Sequence, residues 1–233
     1  MDGLRLRQAG VTVRRPAAVL FDMDGTLIDS EKVWDVSLAD LAAGLGGVLS
    51  PKTRDVMIGS NMDRTMVLMF DDLGLPHDRL AMEEGGRFLT KRTEELFRDG
   101  LPWRPGAADL LVAVKEAGIP TALVTSTERA LTEVALDTIG RDFFDVTICG
   151  DEVDGRNKPL PEPYLKAARL LGVDPADCVA VEDSPTGSVS AAAAGCTVLV
   201  VPCDVDVPIG PNMVHRESLV GVDVSVLGAL LGR

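Results

Sequence analysis

The stretch Val19 to Ile28 reads VLFDMDGTLI. Two carboxylates, Asp22 and Asp24, stand two residues apart where an apolar run ends, and Gly25 and Thr26 follow them. Like charges this close repel. They persist where a cation sits between them or where one of them does chemistry. Further along, Thr125 and Ser126 end a second apolar run, Glu182 and Asp183 end a third, and Lys158 stands in the loop NKPLPEPY. An oxygen-only set of carboxylates suits a hard ion such as Mg²⁺. A lysine near hydroxyls, backbone N–H groups and such an ion makes a phosphate site. Each group also has a plainer reading. Asp22 and Asp24 fit a turn with local capping, Thr125 a strand-end hydroxyl, Lys158 a solvated loop lysine, and Glu182 with Asp183 the approach to a helix cap at Ser184.

The chemical reading holds only if separate elements bring these groups together. Five short apolar runs predict buried strands: 17–21, 121–125, 144–149, 178–183 and 197–201. Their continuous apolar character, without alternation, predicts a sheet covered on both faces. Helical spacing predicts helices over 106–117, 127–139, 162–171 and from Ser184 to Gly195, three of them closing on Gly118, Gly140 and Gly172. Strand and helix alternate, so the expected fold is α/β, a doubly wound parallel sheet. In such a sheet ligands bind beyond the carboxyl ends of the strands. The candidate residues occupy those ends.

Residues 30–100 break the rhythm. They read as helix after helix: 30–45, a piece near 52–57, 61–73 and 78–98. The expected organisation is therefore an α/β core of 1–29 and 101–233, with a smaller all-helical domain, 30–100, inserted after the first strand. Trp34, Met57, Met62, Met66 and Met69 recur near helical spacing and read as the core of that insertion, with a plastic apolar substrate pocket as the alternative. Capping of the next helix accounts for Asp29 and Ser30, and Thr26 is expected to bond to nearby backbone. His77 and His215 read as surface loop residues.

The motifs DMDGT, VTST, Lys158-Pro and EDSPTG stand in the order and spacing found in the haloacid dehalogenase superfamily. The chain resembles that family from about Val19 onward, and the helical insertion resembles the C1 cap of its subfamily I. The resemblance implies a phosphatase that uses Mg²⁺ and an aspartyl-phosphate intermediate. Asp22 would be the nucleophile and Asp24 the general acid and base, its backbone carbonyl also on the metal. Thr125 and Ser126 would hold phosphate oxygens, Lys158 would offset charge, and Glu182 with Asp183 would complete the metal shell. Cap residues Glu31, Trp34, Gly59 and Ser60 would select the substrate, with hinges at 29–31 and 101–105. The alternative is a phosphomutase of the β-phosphoglucomutase type. Mutase-type relatives carry a histidine where Trp34 stands and an arginine where Met62 stands, with Arg64 close but displaced. This favours hydrolysis of a small sugar-phosphate-like monoester.

Composition narrows the partners. The net charge is −13 over 233 residues, which argues against nucleic acid or an anionic membrane as partner. The implied partner is a small phosphorylated molecule, and a monomer is the default. The start is locally basic, with four arginines before Pro16, but no apolar stretch follows them as a secretory signal requires. Cys149, Cys178, Cys196 and Cys203 lack CxxC spacing and read as reduced, packed thiols of a cytoplasmic protein.

Overall fold

The structure, a computed structural model, describes residues 14–231. The basic start therefore lies outside the described residues as far as position 13. Among the described residues six strands form one sheet: β1 (Ala18–Phe21), β2 (Thr121–Val124), β3 (Val146–Ile148), β4 (Cys178–Glu182), β5 (Thr197–Val200) and β6 (Met213–His215). Their order is β3-β2-β1-β4-β5-β6 and every pairing is parallel. The first strand thus lies in the middle, with β2 on one side and β4 on the other. Phe21 pairs with Leu123 and with Val181, which aligns the three strand ends that carry the candidate residues.

Alternate residues of these strands enter two cores. Val19, Phe21, Leu123, Val179, Val181 and Leu199 pack against α5 (Ala107–Glu116), α6 (Arg129–Ile139) and α9 (Val224–Leu230). Ala18, Leu20, Ala122, Val124, Ala180, Val198 and Val200 pack against α7 (Glu162–Leu171) and α8 (Pro185–Ala194). Burial on both faces explains why the strands read as unbroken apolar runs. The start of α8 follows from its sequence. Ser184 accepts a hydrogen bond from the Gly187 amide at 3.1 Å, Pro185 occupies the first turn, and Gly195 ends the helix with φ +100°.

Between β1 and α5 run α1 (Glu31–Gly44), α2 (Pro51–Met57), α3 (Met62–Asp72) and α4 (Arg79–Phe97). They enclose a cluster of their own: Leu38, Leu41, Ala42, Met57, Met66, Met69, Phe70 and Leu89, with Trp34 and Met62 partly buried against it. The two segments that join these helices to the sheet are paired with each other. Asp29 N–H donates to Pro102 O at 2.8 Å and Arg104 N–H to Leu27 O at 2.9 Å.

Two expectations need correction here, and two elements are additional to those expected. The strand expected at 144–149 is shorter, because Arg141–Phe143 form a 3₁₀ turn and Phe144 packs on the core before pairing starts. His215 is not in a loop: it ends β6, pairs with Val200 and is half-buried. The strand β6 and the helix α9 went unpredicted, since three and seven residues are too few for a pattern to show. His77 is exposed as expected, 2.8 Å from Asp71. All four cysteines are free thiols. Burial pushes Cys149 and Cys178 up to about 11 and Cys196 and Cys203 up to about 12, so all four stay protonated at neutral pH.

Candidate active site

The ends of β1, β2 and β4 meet at one rim, and the sheet order is the reason. Asp22 leaves β1, its N–H bonded to Val181 O of the neighbouring strand at 3.0 Å. Thr125, Ser126 and Thr127 follow β2, while Glu182 closes β4 and Asp183 follows it. The chain returns Lys158 to this rim from the loop before α7. Its Nζ lies 2.7 Å from Asp22 Oδ1, 2.7 Å from Glu182 Oε1 and 2.9 Å from Val124 O. All three donor hydrogens of the ammonium are thereby used, and the side chain is buried. Burial works against its charge, but Asp22 and Glu182 outweigh this and hold its pKa above the ordinary value. A solvated loop lysine is thus ruled out.

Glu182 is fully enclosed. Its Oε1 accepts from Lys158 and, at 2.6 Å, from the hydroxyl of Tyr164 on α7. Its Oε2 accepts from the Asp183 N–H at 3.2 Å and the Ser184 hydroxyl at 3.3 Å. A Cβ at Gly187 would overlap the carboxylate, so only glycine fits there. Glu182 therefore spends its lone pairs on Lys158, Tyr164 and the start of α8. Tyr164 was not anticipated, because one tyrosine in an amphipathic helix reads as ordinary core.

One carboxylate oxygen from each of Asp22, Glu182 and Asp183 lies within 4.8 Å of the others, but both oxygens of Glu182 already accept hydrogen bonds, so Glu182 is less free to join a metal shell than the sequence implies. Asp183 Oδ2 is buried and has no hydrogen-bond partner among the described residues. A buried carboxylate oxygen left without a donor is costly. Burial, reinforced by Asp22 and Glu182, holds the Asp183 carboxyl well above the usual range. Burial likewise raises Asp22 to about 7, with Lys158 pulling it down. A divalent cation would relieve both, and the all-oxygen donors fit Mg²⁺. The turn after Asp24 passes close by: Gly25 has φ +78°, and a Cβ there would overlap Asp183 Oδ2. Thr26 does not bond local backbone as expected. Its hydroxyl donates to Asp183 Oδ1 at 3.3 Å.

Asp24 is held from two directions. Thr127 donates to its Oδ2 at 2.7 Å, with Thr125 at 3.4 Å. On Oδ1 it receives the Ser30 hydroxyl at 2.6 Å and the Trp34 indole N–H at 3.1 Å. Ser30 thus does not cap α1, where it makes no side-chain cap bond. Its hydroxyl is spent on Asp24. Trp34 is both packed against the helical core, edge-on to Phe97 with ring centres 6.3 Å apart, and bonded into the site. Thr127 and Ser30 escaped notice because hydroxyls at strand and helix ends have many local uses.

The helices close over this rim. Ser126 donates to the Gly59 carbonyl at 3.1 Å, and Ser60 pairs with Thr65 at 2.7 Å. Asp22, Asp24, Thr125, Ser126 and Asp183 share one cavity with Glu31, Trp34, Arg54, Gly59 and Ser60. Glu31 is buried with Arg54. Arg54 Nη2 lies 2.5 Å from Glu31 Oε2, and Nε lies 2.5 Å from Asp35 Oδ1. Burial raises Glu31 above the ordinary carboxyl value, with Arg54 opposing. Arg54 was not anticipated as a site residue, since it sits in a short, polar helix.

Residues 16–195 match the family model of the haloacid dehalogenase-like hydrolases. The chain is 33% identical over 193 residues to hexitol phosphatase B of Escherichia coli, covering 82% of this chain and 86% of that one. Its fold is similar to that of CbbY from Rhodobacter sphaeroides, solved with xylulose-1,5-bisphosphate: TM-score 0.79, 26% identity, 91% of this chain and 99% of that one. It is also similar to β-phosphoglucomutase from Clostridium difficile, with TM-score 0.81, 20% identity and coverage of 93% and 97%. The chain belongs to the haloacid dehalogenase-like hydrolases. Within them it is an enzyme of the phosphoric monoester hydrolase type.

Proposed function

We propose that this enzyme is a Mg²⁺-dependent phosphatase that hydrolyses a small sugar- or polyol-phosphate monoester through an aspartyl phosphate on Asp22. One observation carries the reading: Asp22, Asp24 and Asp183 line one cavity that the helices cover, and Lys158, buried behind it, lies 2.7 Å from Asp22. Asp22 attacks phosphorus as the bond to the leaving oxygen breaks. Asp24 gives that oxygen a proton, then takes one from the water that hydrolyses the acylphosphate. Thr125 and Ser126 hold phosphoryl oxygens. Lys158 keeps Asp22 ionised and offsets the charge gathered there. Asp22, Asp183 and the Asp24 carbonyl would hold Mg²⁺, with Glu182 behind them orienting Lys158 and Asp183. The bound ion supplies positive charge to the phosphoryl oxygens during in-line transfer.

In this reading residues 30–100 are a cap on a core of 1–29 and 101–233, and the paired segments at 29–31 and 101–105 are its hinge. Closing shields the acylphosphate and opening releases product. Glu31, Trp34, Gly59 and Ser60 border the substrate. The name of the Escherichia coli relative supports a polyol phosphate. Free thiols support a reducing, cytoplasmic setting. No helix among the described residues is long and apolar enough to cross a membrane. The phosphomutase reading is weaker, because Trp34 and Met62 line the cavity where a second phosphate would need cations. The test is phosphate release from sugar, polyol and nucleotide monophosphates with and without Mg²⁺, in the native protein and in Asp22→Asn. Release that needs the metal and vanishes in the variant is expected. Turnover that persists in a clean preparation of Asp22→Asn excludes the covalent route.

A further inference from the structure

Resting on the phosphatase reading above, we infer that the Glu31–Arg54 pair is the specificity device of the cap. It receives the hydroxyls of an uncharged polyol tail and rejects a second phosphate. Every other side chain that residues 30–100 give to the cavity is uncharged: Trp34, Leu38, Met57, Ile58, Ser60, Met62, Thr65 and Leu89. Arg54 is the one basic group lining it among the described residues. An arginine in that place would ordinarily bind a distal phosphate, since its planar fork matches the oxyanion. Here the fork is already answered twice. Glu31 takes Nη2 at 2.5 Å through its carboxylate and at 3.3 Å through its backbone carbonyl. Asp35 takes Nε at 2.5 Å.

Two carboxylates on one guanidinium leave the distal end of the cavity without net positive charge. Glu128 adds a further carboxyl group to the same lining. The pair is also poorly hydrated. The side chain of Glu31 is 5% exposed and that of Arg54 is 15% exposed, so screening by water is weak. A dianionic group brought here would meet like charge at low dielectric, a repulsive element that selects against bisphosphates. A hydroxyl fits instead. Glu31 Oε2 is bonded to Arg54, while Oε1 remains as an acceptor, and Arg54 Nη1 remains as a donor. No hydrogen bond to either is made within the described residues. Neighbouring hydroxyls of a sugar or polyol can accept from one and donate to the other. The Trp34 ring beside them offers an apolar face to the carbon chain.

The experiment compares monophosphates with bisphosphates on one carbon skeleton: fructose 6-phosphate against fructose 1,6-bisphosphate, and glucose 6-phosphate against glucose 1,6-bisphosphate. Glucitol 6-phosphate is the open-chain member and p-nitrophenyl phosphate the reference whose tail has no hydroxyls. In the native enzyme kcat/KM favours the monophosphates by about tenfold or more. Glu31→Gln removes one neutralising charge, so Arg54 becomes available. The preference falls about fivefold or more, mainly through a lower KM for the bisphosphates. Asp35→Asn, at an exposed site outside the cavity, moves the preference the same way and stands in if Glu31→Gln does not fold. Arg54→Met lowers kcat/KM for the polyol phosphate and brings no gain on bisphosphates. Equal native rates on the two members of each pair overturn the inference and leave the phosphatase reading intact. So do variants that lose both members in equal proportion. Absence of turnover on every ester, p-nitrophenyl phosphate included, overturns the phosphatase reading and this inference with it.

Discussion

Lys158 is the residue on which the site's electrostatics turn. It is buried between two carboxylates at 2.7 Å each, so each charge depends on the others. Removing one partner of a buried ion pair costs about 3–5 kcal/mol, because the remaining charges have no counterpart. Lys158→Met is expected to lose stability of about that size and essentially all phosphate release. Urea unfolding and single-turnover assays read the two effects. A variant with native stability would show that Asp22 and Glu182 do not need the ammonium. Asp24 presents the opposite case. It is held by neutral donors, Ser30, Trp34 and Thr127, which fix where both of its oxygens point.

Among the elements, the join between α2 and α3 shows how polar contacts hold short helices. Asp72 at the end of α3 accepts from the Ser50 amide at 2.7 Å and from the Ser50 and Thr53 hydroxyls at 2.6 Å each. Those hydrogen bonds favour the ionised form and hold the Asp72 carboxyl below its ordinary value of 3.8. The sign follows. With the folded value depressed, the stabilisation is complete above the unfolded value and disappears as pH falls through it and then through the folded value. Asp72→Asn is therefore expected to lower the urea midpoint at pH 7. The gap between variant and native protein narrows as pH falls below the ordinary carboxyl value of 3.8. A gap independent of pH would mean that the carboxylate charge contributes nothing to this join.

For the protein as a unit, the unpartnered Asp183 Oδ2 and the raised Asp22 mark a site that folding alone leaves uncomfortable. A ligand that binds only the folded state raises its stability, by about 2.7 kcal/mol at a hundredfold excess over Kd. Millimolar Mg²⁺ is thus expected to raise the melting temperature of the native protein. Asp183→Asn removes that gain, because it takes a charge from the ligand set. A melting curve that Mg²⁺ leaves unmoved in the native protein would sink the metal assignment. The joining segments, paired through Asp29, Pro102, Leu27 and Arg104, are the route by which the helices and the rim share one fate.

The class of fold and the rim residues are legible in the chain because the signals are local. Apolar runs of strand length, glycine stops and the acidic ends at Asp22 and Asp183 are each read from a few neighbouring residues. Three-dimensional order decided the rest. Only the placing of β1 between β2 and β4 shows that Asp22, Thr125 and Asp183 share a rim. Only side-chain positions show that Ser30 and Trp34 serve Asp24, that Tyr164 serves Glu182, and that Glu31 and Asp35 occupy Arg54. The physical reason is range. Propensity, capping and periodicity act over a turn or two of chain. These hydrogen bonds and ion pairs join different elements across 6 to 23 positions, and each depends on packing that no short stretch encodes.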